Sequence, residues 1–258
     1  MNCKILKIIR LALAVMGLVF ITAHASELEN ASPNPDQLMP LKDFELNYNA
    51  SFNGMSIKGV HTLTQLDQSQ FKEHFKAKGM LGNVTETEIF EIIDNKQIIP
   101  LENTYQRSVI GSKRTETQKY DWTNKQVTHT KGKKTTTVPL QFGYLDSMSH
   151  KQQLRRDMTA GMDVLTYPVI SRGKLKQYTY KVISDEVLTT PIGPLDTRLI
   201  ERISDDGDKT TRVWLAKDWD FIMIKLEIFN KGDTQKMHFT GGQLGNQTIS
   251  PLEIHLEK

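Results

Sequence analysis

The chain has 258 residues, with 33 Lys and Arg against 30 Asp and Glu, and its single cysteine is Cys3. Three of the bases, Lys4, Lys7 and Arg10, precede any acidic residue and lie within the first 25 residues, so the rest of the chain has no net formal charge. A neutral chain has no global attraction for nucleic acid or anionic lipid. The lack of cysteine after position 3 excludes disulfides, thiolate catalysis and cysteine-ligated metals there.

The first 25 residues have the pattern of a secretory signal peptide. A basic segment precedes an apolar run over 11–22, and an Ala-His-Ala triplet ends at Ala25. We therefore predict cleavage between Ala25 and Ser26, followed by a flexible, proline-containing leader over 26–40. The signal peptide leads us to expect an exported, soluble, periplasmic protein. Since no cysteine follows the apolar run, we expect that it is not a lipoprotein. We also expect no transmembrane segment in the mature chain, because no later apolar run is long enough.

Apolar residues alternate with polar ones between short turns along most of 41–258, and this period of two is typical of antiparallel strands. The first such strand leads from Phe44 to an Asn-Gly pair at 53–54, which is a strong hairpin signal. A second clear series extends over 178–239. We therefore predict one all-β domain over 41–258, an antiparallel up-and-down meander of about a dozen strands that curls into an open or closed barrel-like sheet.

One segment interrupts this alternation. Residues 145–158 contain no β-branched residue and are rich in Gln, Leu, Arg, Lys and Met, which favour helix. Asp146 is a suitable N-cap because its carboxylate can accept hydrogen bonds from the first backbone N–H groups. We predict the one main helix of the chain near 146–159, either covering the mouth of the sheet or lying across its concave face.

Several short motifs resemble a known family. They are Leu-Asp-Ser-Met-Ser at 145–149 with Leu-Arg at 154–155, Tyr-Pro-Val at 167–169, Thr-Pro-Ile-Gly at 190–193 and Val-Trp-Leu-Ala-Lys-Asp at 213–218. In these motifs the chain is similar to the bacterial exported family known as domain of unknown function 3108. That family usually has a proline after the last motif, where this chain has Ile222 or Met223. The resemblance implies a Gram-negative envelope and a curved β-sheet, and it brings no activity with it.

The sequence assigns no residue to catalysis, to cofactor binding or to metal binding. It has neither a Gly-x-Ser-x-Gly elbow nor a phosphate-binding Gly-x4-Gly-Lys-Ser/Thr loop, and its histidines form no His-Glu-x-x-His motif. The acidic run 205–208 is interpreted as a hairpin turn, with a weak surface cation site as the alternative. Asp218 and Asp220 flank Trp219, an arrangement that could suit a sugar, although an ordinary turn also explains it.

The apolar side of so many strands allows either a packed core or a cavity for a lipophilic molecule. We predict a non-enzymatic binding or carrier protein for a lipophilic envelope component, with no cofactor and no nucleic-acid partner. One alternative is a structural or protein-interaction module of the envelope, which would dock through strand edges or the helix. The other is an enzyme that acts on envelope polysaccharide. The ligand-binding residues are unknown at this stage, but flexible methionines could line a cavity or fill gaps in a core: Met55, Met80, Met148, Met158, Met162 and Met223.

Overall fold

A computed structural model of the protein describes residues 38–52, 55–162, 164–204, 207 and 209–251. The predicted cleavage site between Ala25 and Ser26 lies outside the described residues, as does most of the acidic run 205–208. Among the helices that are described, none has the length and apolarity needed to cross a bilayer.

Sixteen strands among the described residues form one sheet. They are β1 Phe44–Phe52, β2 Met55–Gln65, β3 Gln70–Gly79, β4 Gly82–Ile93, β5 Gln97–Val109, β6 Ser112–Asp121, β7 Gln126–Lys131, β8 Lys134–Pro139, β9 Leu145–Asp146, β10 Leu165–Ser171, β11 Lys174–Thr190, β12 Gly193–Ile203, β13 Lys209–Ala216, β14 Ile222–Asn230, β15 Asp233–Leu244 and β16 Gln247–Thr248. A single 3₁₀ turn, Lys217–Trp219, separates β13 from β14.

Neighbours along the chain are mostly neighbours in the sheet, so the predicted meander is confirmed. Strands β1 to β8 form one half in sequence order, and β9 to β15 form the other half. The halves join where β1 pairs antiparallel with β15, which places Phe44 opposite Leu244. The one departure from antiparallel pairing among the described strands is β9, which lies parallel to β10.

The sheet curls but does not close through backbone pairing, because β8 and β9 remain as its two ends. Side chains bring the ends together instead. The Gln118 side chain on β6 donates a hydrogen bond to the carbonyl of Ile170 at 3.3 Å and accepts one from the backbone nitrogen of Gly173 at 2.8 Å. A small apolar cluster packs at the same place, so the two ends are sealed by packing: Tyr120, Val127, Leu140 and Ile170.

The helix α1, Ser149–Thr159, lies inside the curl. Eight of its 11 residues are buried, and it contacts strands of both halves of the sheet. The Asp157 carboxylate accepts a hydrogen bond from Tyr167 on β10 at 2.8 Å, and the Arg155 guanidinium lies 5.2 Å from the ring centre of Phe44 on β1. The helix therefore occupies the concave side, which was one of the two predicted positions.

The start of the helix differs from the prediction. Asp146 is not the N-cap; it lies in β9, where its Oδ1 accepts a hydrogen bond from the backbone nitrogen of Met148 at 2.7 Å. The backbone nitrogen of Ser149 is bound at 2.7 Å by the carboxyl group of Glu88, which comes from β4. The first backbone N–H of the helix is thus bound by a side chain from a distant strand. This contact could not be predicted from the local sequence.

The main core lies between α1 and the inner side of the sheet, and it extends to residues that we predicted within the leader. Leu38 and Met39 are both buried. The Met39 carbonyl accepts a hydrogen bond from Nε of Arg156 at 3.0 Å. The guanidinium of Arg156 also donates to the carbonyls of Asn95 and Lys96, so one buried cation joins three chain segments.

Candidate functional site

An interior cavity of about 340 Å³ lies between α1, strands β1 to β4 and the inner side of β11 to β15. Its size is at the lower end of the roughly 300–1,000 Å³ that small-molecule sites occupy. Much of its wall is aliphatic, because the strands β13 to β15 present one parity of their apolar residues to it: Val213, Leu215, Leu226, Ile228 and Met237. The fold therefore leaves space on the apolar side of the sheet that its own side chains do not fill.

A buried arginine forms part of the opposite wall. Arg155 is 5% exposed, and its Nε donates to the Asp220 carbonyl at 2.9 Å. Its Nη1 donates to the Gln152 side chain at 2.8 Å, while its Nη2 has no hydrogen-bond partner among the described residues. Burial lowers the pKa of the Arg155 guanidinium to about 10, so the side chain remains a cation at neutral pH. The cavity thus contains a desolvated positive charge with one free donor.

A second arginine lines the cavity from β12. Arg202 stacks over the ring of Tyr178, with 4.0 Å between its Cζ and the ring centre. Its Nε is buried and lacks a hydrogen-bond partner among the described residues. Arg202 and Ile200 lie on the same side of β12, and the sequence indicates that this side is mainly charged. An isoleucine on this charged side was the signal in the sequence, but alternation alone does not distinguish a solvent-facing arginine from one that lines a cavity.

Beneath the cavity lies a group of buried carboxyl groups. Glu88 and Asp146 are both fully buried. Burial and the neighbouring charge of Asp146 raise the pKa of Glu88 well above its ordinary value. Burial and the charge of Glu86 raise the pKa of Asp146 to about 6. Asp146 accepts hydrogen bonds from Asn103, Gln118 and Tyr120, each at 3.2 Å. Glu88 therefore holds its proton to a higher pH than an ordinary carboxyl group, and the neighbouring Asp146 carboxyl group is held by neutral hydrogen-bond donors.

His150 is the histidine nearest this group. Burial lowers its pKa to about 3, so its imidazole is neutral. Its Nδ1 lies 3.0 Å from the Asp146 carbonyl, and its Nε2 lies 3.0 Å from the Tyr180 hydroxyl. The carbonyl can only accept, so Nδ1 carries the proton and Nε2 accepts from Tyr180. With both nitrogens engaged in this way, His150 supports the position of α1 and is not free to act as a base.

The serine at the cavity wall has a different partner. Ser147 Oγ donates to Glu86 Oε1 at 2.6 Å. No described histidine forms a hydrogen bond with this hydroxyl, whose partners are the carboxyl groups of Glu86 and Asp146. In the part of the chain that the structure describes, no group of three His, Cys, Asp or Glu residues is arranged to hold a metal ion.

Asp218 and Asp220 do not line the cavity, although the Asp220 carbonyl accepts a hydrogen bond from Arg155 in the cavity wall. Asp220 forms an ion pair with Lys42 at 2.9 Å, and the Trp219 indole donates to the Ser250 carbonyl at 3.2 Å. These contacts fix the turn between β13 and β14, which agrees with the plain interpretation of this segment as a turn. Of the six methionines considered, Met223 lines the cavity, whereas Met148 and Met158 are buried and Met80 is 87% exposed.

A known protein family and a solved structure are similar to the chain. The comparison with curated proteins gives no match. Among solved structures, the fold is similar to the crystal structure of a β-barrel-like protein of domain of unknown function DUF1849 from Brucella abortus, with a TM-score of 0.57 and 8% identity over 81% of this chain and 100% of that chain. At that identity the similarity shows the fold alone. The model of the family described as "Protein of unknown function (DUF3108)" matches residues 47–240, so the chain belongs to this family, as its motifs predicted.

Proposed function

We propose that the protein is a non-enzymatic binding or carrier protein of the bacterial cell envelope, exported by its signal peptide, and that it takes one lipophilic small molecule in the interior cavity. The observation that carries this proposal is the unfilled space of about 340 Å³ against the aliphatic wall of β13 to β15. Most of the surface that lines this space is apolar. An apolar ligand of matching size removes that surface from water, and the hydrophobic effect therefore favours its binding.

The first experiment detects a natural ligand. The protein is purified from the cell envelope and analysed by native mass spectrometry, and the bound fraction is extracted with organic solvent. We expect a lipophilic species at close to one per protein. If the protein carries its bare mass and also binds no added apolar probe, the proposal is wrong.

The second experiment locates the site. Binding of the neutral, lipophilic dye N-phenyl-1-naphthylamine is followed by its fluorescence, and Val213→Trp is compared with Val164→Trp. Val213 lines the cavity, whereas Val164 is 76% exposed. The indole at position 213 fills the space, so we expect it to weaken dye binding by about tenfold or more. The same change at position 164 should leave binding unaltered. Equal binding by both variants would place the dye elsewhere and contradict the proposal.

A second candidate function is a protein-interaction module, and one strand edge favours it. Strand β11 pairs with β12 as far as Thr190, but β10 covers its other edge only as far as Tyr180. No described strand pairs with that edge beyond Tyr180, and Val182, Ile183 and Val187 are between 45% and 61% exposed there. An exposed apolar edge can receive an extended segment of another protein. The other docking surface that we considered, α1, is buried and therefore unavailable.

The edge is tested by photo-crosslinking in cells. A photoreactive amino acid replaces Val187 in one strain and Val164 in a control strain. Both side chains are well exposed, at 61% and 76%, but only the first belongs to the edge. A defined adduct from position 187 that is absent from position 164 supports the interaction module. Identical adducts, or none, contradict it.

A further inference from the structure

A second cavity adjoins the first. It has a volume of about 480 Å³ and lies between the inner sides of β5 to β7 and the segment from β10 to β11. The two cavities share Glu86, Ser147, Tyr178 and Lys209 in their walls. They differ in chemistry, since the first has an aliphatic wall and the second is lined almost entirely by polar side chains. A single ligand that spans both would therefore have one apolar and one polar part.

The second cavity has an excess of positive charge. Four bases line it, namely Arg172, Lys174, Lys176 and Lys209, against the two acids Glu86 and Glu116. None of these four bases forms a salt bridge with a carboxylate of the described residues.

Both acids already have partners. Glu116 is paired with Arg114 and with His129, whose Nε2 lies 3.1 Å away. Glu86 accepts hydrogen bonds from Ser147 at 2.6 Å and from Asn103 at 3.2 Å. Glu116 also interacts electrostatically with Arg172, so the two acids offset part of the charge and the four bases leave an excess of positive charge.

The excess of positive charge surrounds Lys209, which lines both cavities. The pKa of the Lys209 ammonium is lowered first by burial and then by Arg202, Lys176 and Arg172, which are all cations. Arg202 lines only the first cavity, and its buried Nε has no partner among the described residues. Arg172 and Lys176 are exposed, whereas Lys209 is partly buried, so the like charges around Lys209 cost free energy that an anion between them would offset.

We propose that the two cavities form one bipartite site for a single-chain amphiphile with an anionic head group of the phosphate type. The apolar chain lies against Val213, Leu226 and Met237 in the first cavity. The head group lies in the second cavity beside Lys209, Lys176 and Arg172, with Arg202 at the junction. This inference rests on the proposed function, because it assigns the head group of the lipophilic ligand that the first cavity takes.

Calorimetric titration with three probes below their micelle concentrations tests the inference. The probes are lauroyl glycerol phosphate, monolauroyl glycerol with the same chain but no charge, and glycerol phosphate with the same head but no chain. Charge-assisted hydrogen bonds to the phosphate should make the first probe bind about tenfold or more tightly than the second. Without the chain, glycerol phosphate should bind more weakly than either.

Matched lysine variants locate the head group. Lys176→Gln combined with Lys209→Gln should abolish the preference for the phosphate over monolauroyl glycerol, and circular dichroism shows whether the variant is folded. The control, Lys113→Gln combined with Lys119→Gln, removes the same charge from exposed positions of β6 that line neither cavity. It should keep the preference.

Each contrary outcome has a distinct meaning. If the phosphate and neutral amphiphiles bind equally, the head-group assignment is wrong and the proposed function stands. If glycerol phosphate alone binds as tightly as the amphiphile, the second cavity takes a free anion and the bipartite site is wrong. If none of the three probes binds, the proposed function fails and this inference fails with it.

Discussion

Glu88 on β4 binds the first backbone nitrogen of α1, with 2.7 Å between its Oε2 and the nitrogen of Ser149. This hydrogen bond connects the interior helix to the N-terminal half of the sheet. Glu88 is fully buried beside the carboxylate of Asp146, and both conditions raise its pKa well above the ordinary value. The helix is thus anchored by a carboxyl group that holds its proton to a higher pH than usual.

The raised pKa of Glu88 predicts how the stability of the protein depends on pH. The folded protein keeps a proton on Glu88 that the unfolded chain releases near its ordinary pKa of 4.5. The free energy of unfolding therefore falls as the pH rises above that value, by up to about 1.4 kcal/mol for each pH unit until the folded pKa is reached. His150 acts in the opposite direction, because its pKa is lowered to about 3, but this effect ends near 6.5, the ordinary pKa of histidine.

Glu88→Gln isolates the effect of this proton, since the amide resembles the protonated acid in shape and keeps an oxygen for Ser149. We expect the variant to gain stability relative to the wild type as the pH rises from about 6.5 to about 8, and urea unfolding across that range measures the difference. The contributions of groups that do not interact with Glu88 cancel in this comparison, and the coupled Asp146, with a pKa of about 6, titrates mainly below this range. Parallel curves for the two proteins would mean that Glu88 is already ionised in the folded state.

Replacing Arg156 should cost more stability than replacing any exposed arginine. Arg156→Met leaves the carbonyls of Met39, Asn95 and Lys96 without this donor in the interior. We expect a loss of about 3 kcal/mol or more in the free energy of unfolding. Arg212 is exposed and paired with Glu201 at 2.8 Å, so Arg212→Met should cost less than about 1 kcal/mol. Similar losses in chemical denaturation would contradict a special role of Arg156.

A substitution at Gly173 tests whether the two ends of the sheet stay packed against each other. An added Cβ there would lie 2.7 Å from Thr136 Oγ1 and 2.8 Å from His129 Nδ1. Gly111 has nearly the same backbone angle, φ 71° against 68°, and nothing within 4 Å of an added Cβ. Both alanine variants carry the cost of a positive φ, about 1–2 kcal/mol, and Gly173→Ala should lose about 1–3 kcal/mol more through steric overlap. Equal losses of unfolding free energy would show that the two ends can separate freely.

Two threonines in the core predict opposite signs for the same substitution. Thr211 Oγ1 is buried without a hydrogen-bond partner among the described residues, whereas Thr197 Oγ1 donates to the Glu186 carbonyl at 2.8 Å. Thr211→Val removes an unpaired hydroxyl and should raise the free energy of unfolding by about 1 kcal/mol, while Thr197→Val should lower it by about as much. Thermal unfolding of both variants checks this. If Thr211→Val is destabilising, its hydroxyl has a partner within the cavity.

The sequence predicted what depends on neighbours along the chain. Alternation from Phe44 onward indicates strands because side chains in a strand point to opposite sides, and short turns make the next strand its partner. The composition of 145–158 indicated a helix for similarly local reasons. Neither pattern contains the contact between Glu88 and Ser149 or the pairing of Phe44 with Leu244, since both join distant segments. The cavity was left open as one of two outcomes, because filling depends on how both halves of the sheet pack against α1.

The pairing of β1 with β15 also governs the order in which the molecule can be completed. The first described strand, β1, has its partner in Asp233–Leu244, close to the last described residues. Until that partner is synthesised, β1 leaves a full strand edge open to pairing with other chains. Truncated chains that end before Asp233 should therefore aggregate, and full-length chains should fold slowly because their central ladder joins segments so distant in sequence. The sheet can be completed only after β15 has been synthesised, near the end of the described residues.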